Sequence, residues 1–344
     1  MGNKHTSLKK NIIVKMTATL FAATAPTLGR MRPLNILRDL PAVADLIELC
    51  FSSTLDPDGR SYIDQMRRNG NDSHFLNWAP RVIESVSLPL SGFVWENNGR
   101  VVANVSLIPF SVRGQKIFLV ANVATHPDFR RQGIARQLTS AAMERARSKH
   151  AQSIWLHVRD DNPGAIQLYS ELGFVERVRR TTWQALSGIK HLDGSASNVQ
   201  ITQRLGRDWP IQSAWLARAY PSDLDWYHSQ SWNILKPGLF NALYRLMADI
   251  NVYQWAAYRD GRLLGVLASQ RANGNSDHLW AALPAKPEPD VVSALLRHGL
   301  RTQTSSRNLV FEYPVGPTDE AIRLAGFSSQ RTLAWMKAPG DATF

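Results

Sequence analysis

Two short stretches of the chain carry residue types that could hold a charged ligand and act on it. The first runs from Val123 to Arg136 and sets Arg130, Arg131 and Arg136 around Gly133 and Ala135, where an apolar stretch gives way to a helical one. The first backbone N–H groups of a helix have no partner within it and sit at the positive end of its dipole, so a diphosphate can be cradled there. Gly133 lets the backbone approach closely, Ala135 keeps the ligand uncrowded, and the guanidinium groups add charge. A helix start with a solvated basic face would carry the same residues, so the loop alone leaves both readings open.

The second stretch follows about 30 residues later. Asn162 has the side chain of a helix N-cap, Pro163 suits the first helical position, and Gly173 falls just past the helix end. Tyr169 lies mid-helix, where a tyrosine usually fills core.

These stretches need elements to position them. Leu34 to Cys50 reads as a short strand and a helix with apolar residues at helical spacing. Phe93–Glu96 and Val101–Ile108, joined through Asn97, Asn98 and Gly99, read as a hairpin. Strands over 117–125, 153–159 and 175–186, with helices over 134–149 and 163–172, complete an α/β domain over 32–187. Residues 188–198, with Gly194, Ser195 and Ser197, suggest a linker.

The second half repeats the first in outline. A hairpin turning at Gly261 echoes the one at Gly99, and Gly326, Phe327 and Trp335 echo Gly173, Phe174 and Trp183. The expected fold is therefore two tandem α/β sandwich units, the second over 199–344, each a mixed, mostly antiparallel sheet flanked by helices.

The chain's 344 residues and 44% hydrophobic content fit about two domains and exclude a disordered or fibrous protein. The single Cys50 excludes an internal disulfide and a cysteine-cluster zinc site, and points to a reducing, cytoplasmic home. No apolar run is long enough for a membrane helix, and the nine His residues lack ligand spacing, so neither membrane nor metal is expected.

The net charge of +12 is local. Residues 1–31 hold five basic residues and no acid, and read as a disordered extension or an over-long start; the opening also fits a myristoylation pattern. Residues 130–149 supply a comparable surplus beside the loop. That distribution does not describe a nucleic-acid surface.

Taken together and in order, the two stretches resemble the Gcn5-related N-acetyltransferase (GNAT) superfamily. Arg130-x-x-Gly133-x-Ala135 matches its coenzyme A signature, and Asn162-x-x-Ala165-x-x-Leu168-Tyr169-x-x-x-Gly173-Phe174 its C-terminal motif. The resemblance implies acetyl-CoA as co-substrate, with its pantetheine arm along Val123, Ala124 and Thr125. It places the pyrophosphate on the amides of Arg131, Gln132, Gly133, Ile134, Ala135 and Arg136, beside Arg130, and Asn162 against the coenzyme.

Tyr169 matches the tyrosine near the thioester sulfur, where a phenol can protonate a departing thiolate; such assistance is typically worth about 10²–10⁴-fold. His157 stands where ribosomal-protein N-terminal acetyltransferases, which share much of this text, carry a glutamate base. An imidazole could accept the amine proton directly or through water. Cys50, on the apolar side of its helix, argues for direct transfer in a ternary complex.

In the second half, Leu283 to Val291 holds three prolines and no glycine where the loop would be, and Ile322 stands where Tyr169 stands. Coenzyme binding there looks lost, which leaves a structural or substrate-shaping role. Trp209, Trp215, Trp226 and Trp232 suit core packing or an acceptor pocket. The expected activity is acetyl transfer to a small-molecule amine or a peptide N-terminus by a monomer or homodimer. Alternatives are a non-catalytic acyl-CoA sensor and a ribosomal-protein-type N-terminal acetyltransferase.

Overall fold

A computed structural model describes residues 29–55, 57–71, 91–112, 114–186, 198–224, 226–227, 232–271, 276–302 and 307–340. Residues 1–28 of the basic extension and 188–197 of the expected linker lie outside the described residues.

The first half runs β1 (Arg30–Pro33), α1 (Ile36–Phe51), α2 (Pro57–Asn71), β2 (Gly92–Asn97), β3 (Arg100–Val112), β4 (Gln115–Thr125), α3 (Ile134–Ser148), β5 (Ser153–Arg159), α4 (Pro163–Glu171) and β6 (Val175–Ala185). The second repeats that order as β7 (Gln200–Gln203), α5 (Trp209–Ala219), α6 (Leu239–Met247), β8 (Val252–Arg259), β9 (Arg262–Arg271), β10 (Ser276–Ala282), α7 (Pro289–Thr302), β11 (Asn308–Pro314), α8 (Asp319–Leu324) and β12 (Phe327–Pro339). The two hairpins turn identically. Asn98 and Gly99 have φ of +50° and +76°, and Asp260 and Gly261 repeat those values, so both turns place two residues in the left-handed region that a two-residue hairpin of this hand demands.

β1 begins at Arg30, inside the segment set aside from the fold, and pairs antiparallel with β2. Arg32 holds it there by reaching Glu96 at 2.8 Å and the buried Asp39 of α1 at 2.6 Å.

All twelve strands form one sheet in the order β1-β2-β3-β4-β5-β12-β6-β11-β10-β9-β8-β7. Adding six to each number in the first half gives the second half in reverse, so a pseudo-twofold axis passes between β12 and β6. The last strand of each half has crossed over: β12 lies between β5 and β6, and β6 lies between β12 and β11. The sheet is mixed and mostly antiparallel, with parallel pairs at β4–β5 and β10–β11. The expected α/β class with helix-flanked sheets is what the chain forms; the two repeats share one sheet.

Strand alternation divides the first-half core. Ala103, Val105, Leu107, Leu156 and Val158 face α3 and α4, packing on Leu138, Ala142 and Tyr169. On the other face, Val94, Val101 and Ala124 pack under Leu40, Val43 and Ile47 of α1 and Ile63 and Met66 of α2. Further along that second face, Ile117, Leu119, Trp155 and Trp335 are covered by Leu224 and Trp226 of the second half. Each fully buried Leu, Ile or Val contributes about 1.5–3 kcal/mol relative to exposure, so the cover from the second half is a substantial part of the first half's stability.

Candidate active site

The site begins where two parallel strands part. β4 and β5 pair only at Ile117–Ser153, Phe118–Ile154 and Leu119–Trp155. Beyond Leu119, residues 120–125 of β4 pair with β3 on one side and have no strand partner on the side facing β5. That open edge offers amide groups for an extended ligand to pair with. A register shift on the β3 side leaves Asn122 in the left-handed region at φ +52°, a bulge the sequence did not signal. Asn122 Nδ2 donates to the hydroxyls of Tyr62 at 3.0 Å and Ser106 at 3.2 Å, and its carbonyl accepts from Asn104 Nδ2 at 3.0 Å. Asn104 Oδ1 is buried without a partner.

The open edge leads into the arginine loop. Arg131 and Gly133 both have positive φ, +64° and +75°, which curls the backbone into the start of α3. α3 has no side-chain cap and no acid in its first turn, so none of its own side chains neutralises its N-terminus. A Cβ built at Gly133 would meet no atom within 4 Å, so open space lies over the loop. Together, the unpaired strand edge, the uncapped amides and this space fit a coenzyme with a diphosphate and an amide-bearing arm.

The arginines themselves are partly engaged. Arg130 Nε returns to Thr125 O at 3.1 Å, and Arg136 pairs with Glu171 of α4, clamping the two motif helices together. Gln132 reaches Asp128 O at 3.4 Å. Ala124 and Ile134 are buried, Val123 packs on the α3-side core, and Thr125 Oγ1 is buried without a partner. Asn162 Oδ1 accepts from Ala165 N–H at 3.1 Å, the N-cap that Pro163 and the helix start required.

Tyr169 and His157 flank β5 from opposite faces. Tyr169 packs with Leu156 and Val158 and meets Phe174 with ring centroids 6.1 Å apart. Burial, with no compensating hydrogen bond, pushes its phenol above the ordinary tyrosine range, so the hydroxyl keeps its proton. His157 alternates to the other face, where its ring lies 4.9 Å from Trp335 and 6.4 Å from Tyr227. Burial lowers its pKa to about 4; Arg331 acts in the same direction and Glu312 against it. The imidazole is therefore neutral at physiological pH.

Tyr62, Asn122 and Tyr227 escaped the sequence analysis because their place depends on tertiary contacts; Asn122 on a strand was the one local signal. Cys50 donates its Sγ–H to Thr125 O at 3.3 Å, so the fold brings it beside the loop. Burial raises its pKa and keeps it a thiol. Trp226 sits in the cover over Trp155, with ring centroids 5.9 Å apart, while Trp209, Trp215 and Trp232 pack on the second-half core.

The second half opens similarly, since β10 and β11 pair only from Ser276–Asn308 to Leu279–Phe311. Here Arg259 pairs with Glu288 and Asp290 at the start of α7, setting carboxylates where the first half has none. α8 has six residues against nine in α4, and Ile322 is fully buried.

A mixed sheet splayed at one parallel pair over an uncapped helix start is the architecture of a GNAT-like fold. Residues 44–174 match the acetyltransferase (GNAT) family. A 68-residue stretch, 20% of the chain and 46% of the relative, is 37% identical to the [ribosomal protein bS18]-alanine N-acetyltransferase of Escherichia coli K12. Another of 88 residues, 25% of the chain and 39% of the relative, is 32% identical to an uncharacterized N-acetyltransferase of Methanocaldococcus jannaschii. The chain thus spans about half the length of the curated relatives it matches. Among solved structures, a GCN5-related N-acetyltransferase from Sphaerobacter thermophilus shares the fold at TM-score 0.55 and 16% identity, over 93% of this chain and 98% of that one. A glucosamine N-acetyltransferase region of a fungal multi-domain enzyme does so at 0.52 and 14%, over 91% and 38%. None of the described helices is long and apolar enough to cross a membrane.

Proposed function

We propose that the first half is an acetyl-CoA-dependent N-acetyltransferase that moves an acetyl group directly to a primary amine. The observation that carries this reading is the unpaired edge of residues 120–125 leading to the uncapped, acid-free start of α3. Acetyl-CoA supplies an activated acetyl thioester. The amides of residues 131–136 hold its diphosphate, and the edge of Val123, Ala124 and Thr125 holds its amide-bearing arm.

Tyr169 and His157 act from opposite sides of β5. Tyr169, a protonated phenol, donates to the departing sulfur. His157, a neutral imidazole, accepts a hydrogen bond from the attacking amine and passes its proton toward solvent, since a conjugate acid near pH 4 does not retain it. The half-buried thiol of Cys50, engaged by Thr125 O, plays no covalent part.

The second half is a degenerate copy that shapes the acceptor pocket. Tyr227 and Trp226 reach from it onto the face of β5 that carries His157. A small-molecule amine suits this aromatic wall. A protein N-terminus is the second reading, favoured by the stretch shared with the bS18-alanine acetyltransferase. A panel of polyamines, amino sugars, amino-acid amides and an alanine-starting peptide, followed by thiol release from acetyl-CoA, decides between them. No release with any amine, while acetyl-CoA still raises the melting temperature, would support the non-catalytic sensor instead.

A further inference from the structure

The geometry points to a second ligand site, for an amphipathic anion, in the cleft beneath α6 at the β7–β8 edge. It lies at the opposite end of the sheet from the β4–β5 splay and does not depend on the activity proposed above.

The two halves also differ at α6. Its counterpart in the repeat, α2, buries Ile63 and Met66 completely against α1. α6 buries none of its nine residues, and Leu239, Phe240, Leu246 and Met247 are between 78% and 91% exposed. Between α6 and the sheet lies a cleft of about 880 Å³, within the range of roughly 300–1,000 Å³ common for small-molecule sites.

The lining of that cleft contains no acidic residue. It contains two guanidinium groups, Arg204 and Arg245; burial lowers the pKa of Arg204, while the charge of Asp208, outside the lining, acts against this and that of Arg245 acts with it. Neither forms an ion pair with a described residue. Both are held by main-chain carbonyls: Arg204 Nη2 by Leu235 O at 2.5 Å, and Arg245 Nη1 by Ile234 O at 2.7 Å. Arg204 Nε is buried without a partner. Two guanidinium groups fixed on neighbouring main-chain carbonyls, one with a buried Nε that has no partner, offer an anion charge-assisted hydrogen bonds. Beside them Tyr253 and Trp255 stack with ring centroids 6.3 Å apart, Trp255 meets His298 edge-on at 5.6 Å, and Leu239 closes the apolar rim. Charge at one end and exposed apolar surface at the other match a carboxylate or phosphate head bearing an alkyl chain.

The test uses the full chain and titration calorimetry with dodecanoate at monomeric concentration, dodecanol as the uncharged control, and phosphatidylglycerol vesicles as a bilayer source of the same chemistry. The expected result is one-to-one binding of dodecanoate, at least ten-fold tighter than dodecanol, and at least ten-fold weaker in the Arg204→Gln/Arg245→Gln double variant. Ala242→Trp fills the cleft from an exposed helix position and should abolish binding without touching the core, so a folding defect in the arginine variant leaves the answer intact. Binding to vesicles but not to monomer, again lost in Ala242→Trp, identifies the source as membrane lipid. Equal binding of dodecanol, binding unchanged in Ala242→Trp, or no binding from either source overturns the proposal. So does an effect of dodecanoate confined to splitting a dimer by sedimentation, which would make a second copy the occupant.

Discussion

The hydroxyls of Thr181 and Thr332 hydrogen-bond at 2.8 Å, facing each other across β6 and β12 at the centre of the twelve-stranded sheet. They stand 151 residues apart and occupy matching places in the two repeats, so the pair marks the pseudo-twofold axis. Each half completes the other: β12 fills the gap between β5 and β6, and β6 fills the gap between β12 and β11. The site on β5 therefore depends on a strand from the far end of the chain.

That exchange predicts how a truncated protein behaves. A fragment ending at Leu186 loses β12 and leaves β5 and β6 with unpaired edges. Such edges recruit other chains. Size-exclusion chromatography of the fragment should show oligomers or aggregate, and acetyl-CoA should not raise its melting temperature. A monomeric fragment stabilised by acetyl-CoA would show that the crossed strands are dispensable.

Arg180 holds the exchanged strand in place. It is 1% exposed, donates to Glu312 Oε1 and Ala219 O, both at 2.7 Å, and stacks 4.5 Å over the Tyr220 ring. Removing one member of a buried ion pair typically costs about 3–5 kcal/mol, because the other is left uncompensated. Arg180→Ala should lose that much in urea unfolding, and Arg180→Ala/Glu312→Ala less than the sum of the single changes. Additive losses would mean that the two groups do not interact.

Most of the elements were legible in the sequence because they rest on local signals. Gly99 and Gly261 marked the hairpin turns, Asn162 and Pro163 marked a helix start, and the apolar spacing of 134–148 marked α3. The arginine loop was legible for the same reason. The strand exchange was not, since alternation tells which face a strand buries but not which strand lies beside it. Likewise His157 was visible as a residue, but its neighbours Trp335 and Tyr227 arrive from 178 and 70 residues away, and its lowered pKa comes with them.

His157 makes stability depend on pH in a set direction. Its pKa is about 4 in the folded protein against 6.5 for the free side chain. Between these values the unfolded chain binds more protons, so the stability is fully present above pH 6.5 and is lost as pH falls toward 4. The difference corresponds to about 3 kcal/mol. Urea unfolding at pH 7.5 and pH 5 should show a loss that His157→Gln largely abolishes. An equal loss in that variant would place the titrating group elsewhere.

Tyr169 and Cys50 separate direct transfer from an acyl-enzyme route. Tyr169→Phe should lower kcat by about 10²–10⁴-fold, the usual range for acid assistance, with little change in the Kd for acetyl-CoA. Cys50→Ser should leave kcat within a few-fold of the native value, since the thiol is half-buried, held in its protonated form and bonded to Thr125 O. Loss of activity in Cys50→Ser with an acetylated peptide trapped in the native protein would reverse that assignment.

Tyr227 tests whether the second half shapes the acceptor pocket. It joins a continuous aromatic surface, with its ring 4.5 Å from Trp335 and 5.9 Å from Trp226, and it reaches His157 on the face of β5 opposite Tyr169. Trp226 and Trp335 are nearly buried and support the core, so changing either would mix stability with binding. Tyr227 is 40% exposed, and a truncation there removes contact area with less cost to folding. With an amine found by the panel, Tyr227→Ala should raise the KM for that amine by up to about ten-fold, the upper end of the roughly 0.5–1.5 kcal/mol scale of an aromatic contact. The KM for acetyl-CoA should hold, because the loop proposed to hold the coenzyme lies between β4 and α3, away from this wall. If instead both KM values rose together, or neither moved, the second half would be a scaffold for the sheet and not a wall of the pocket.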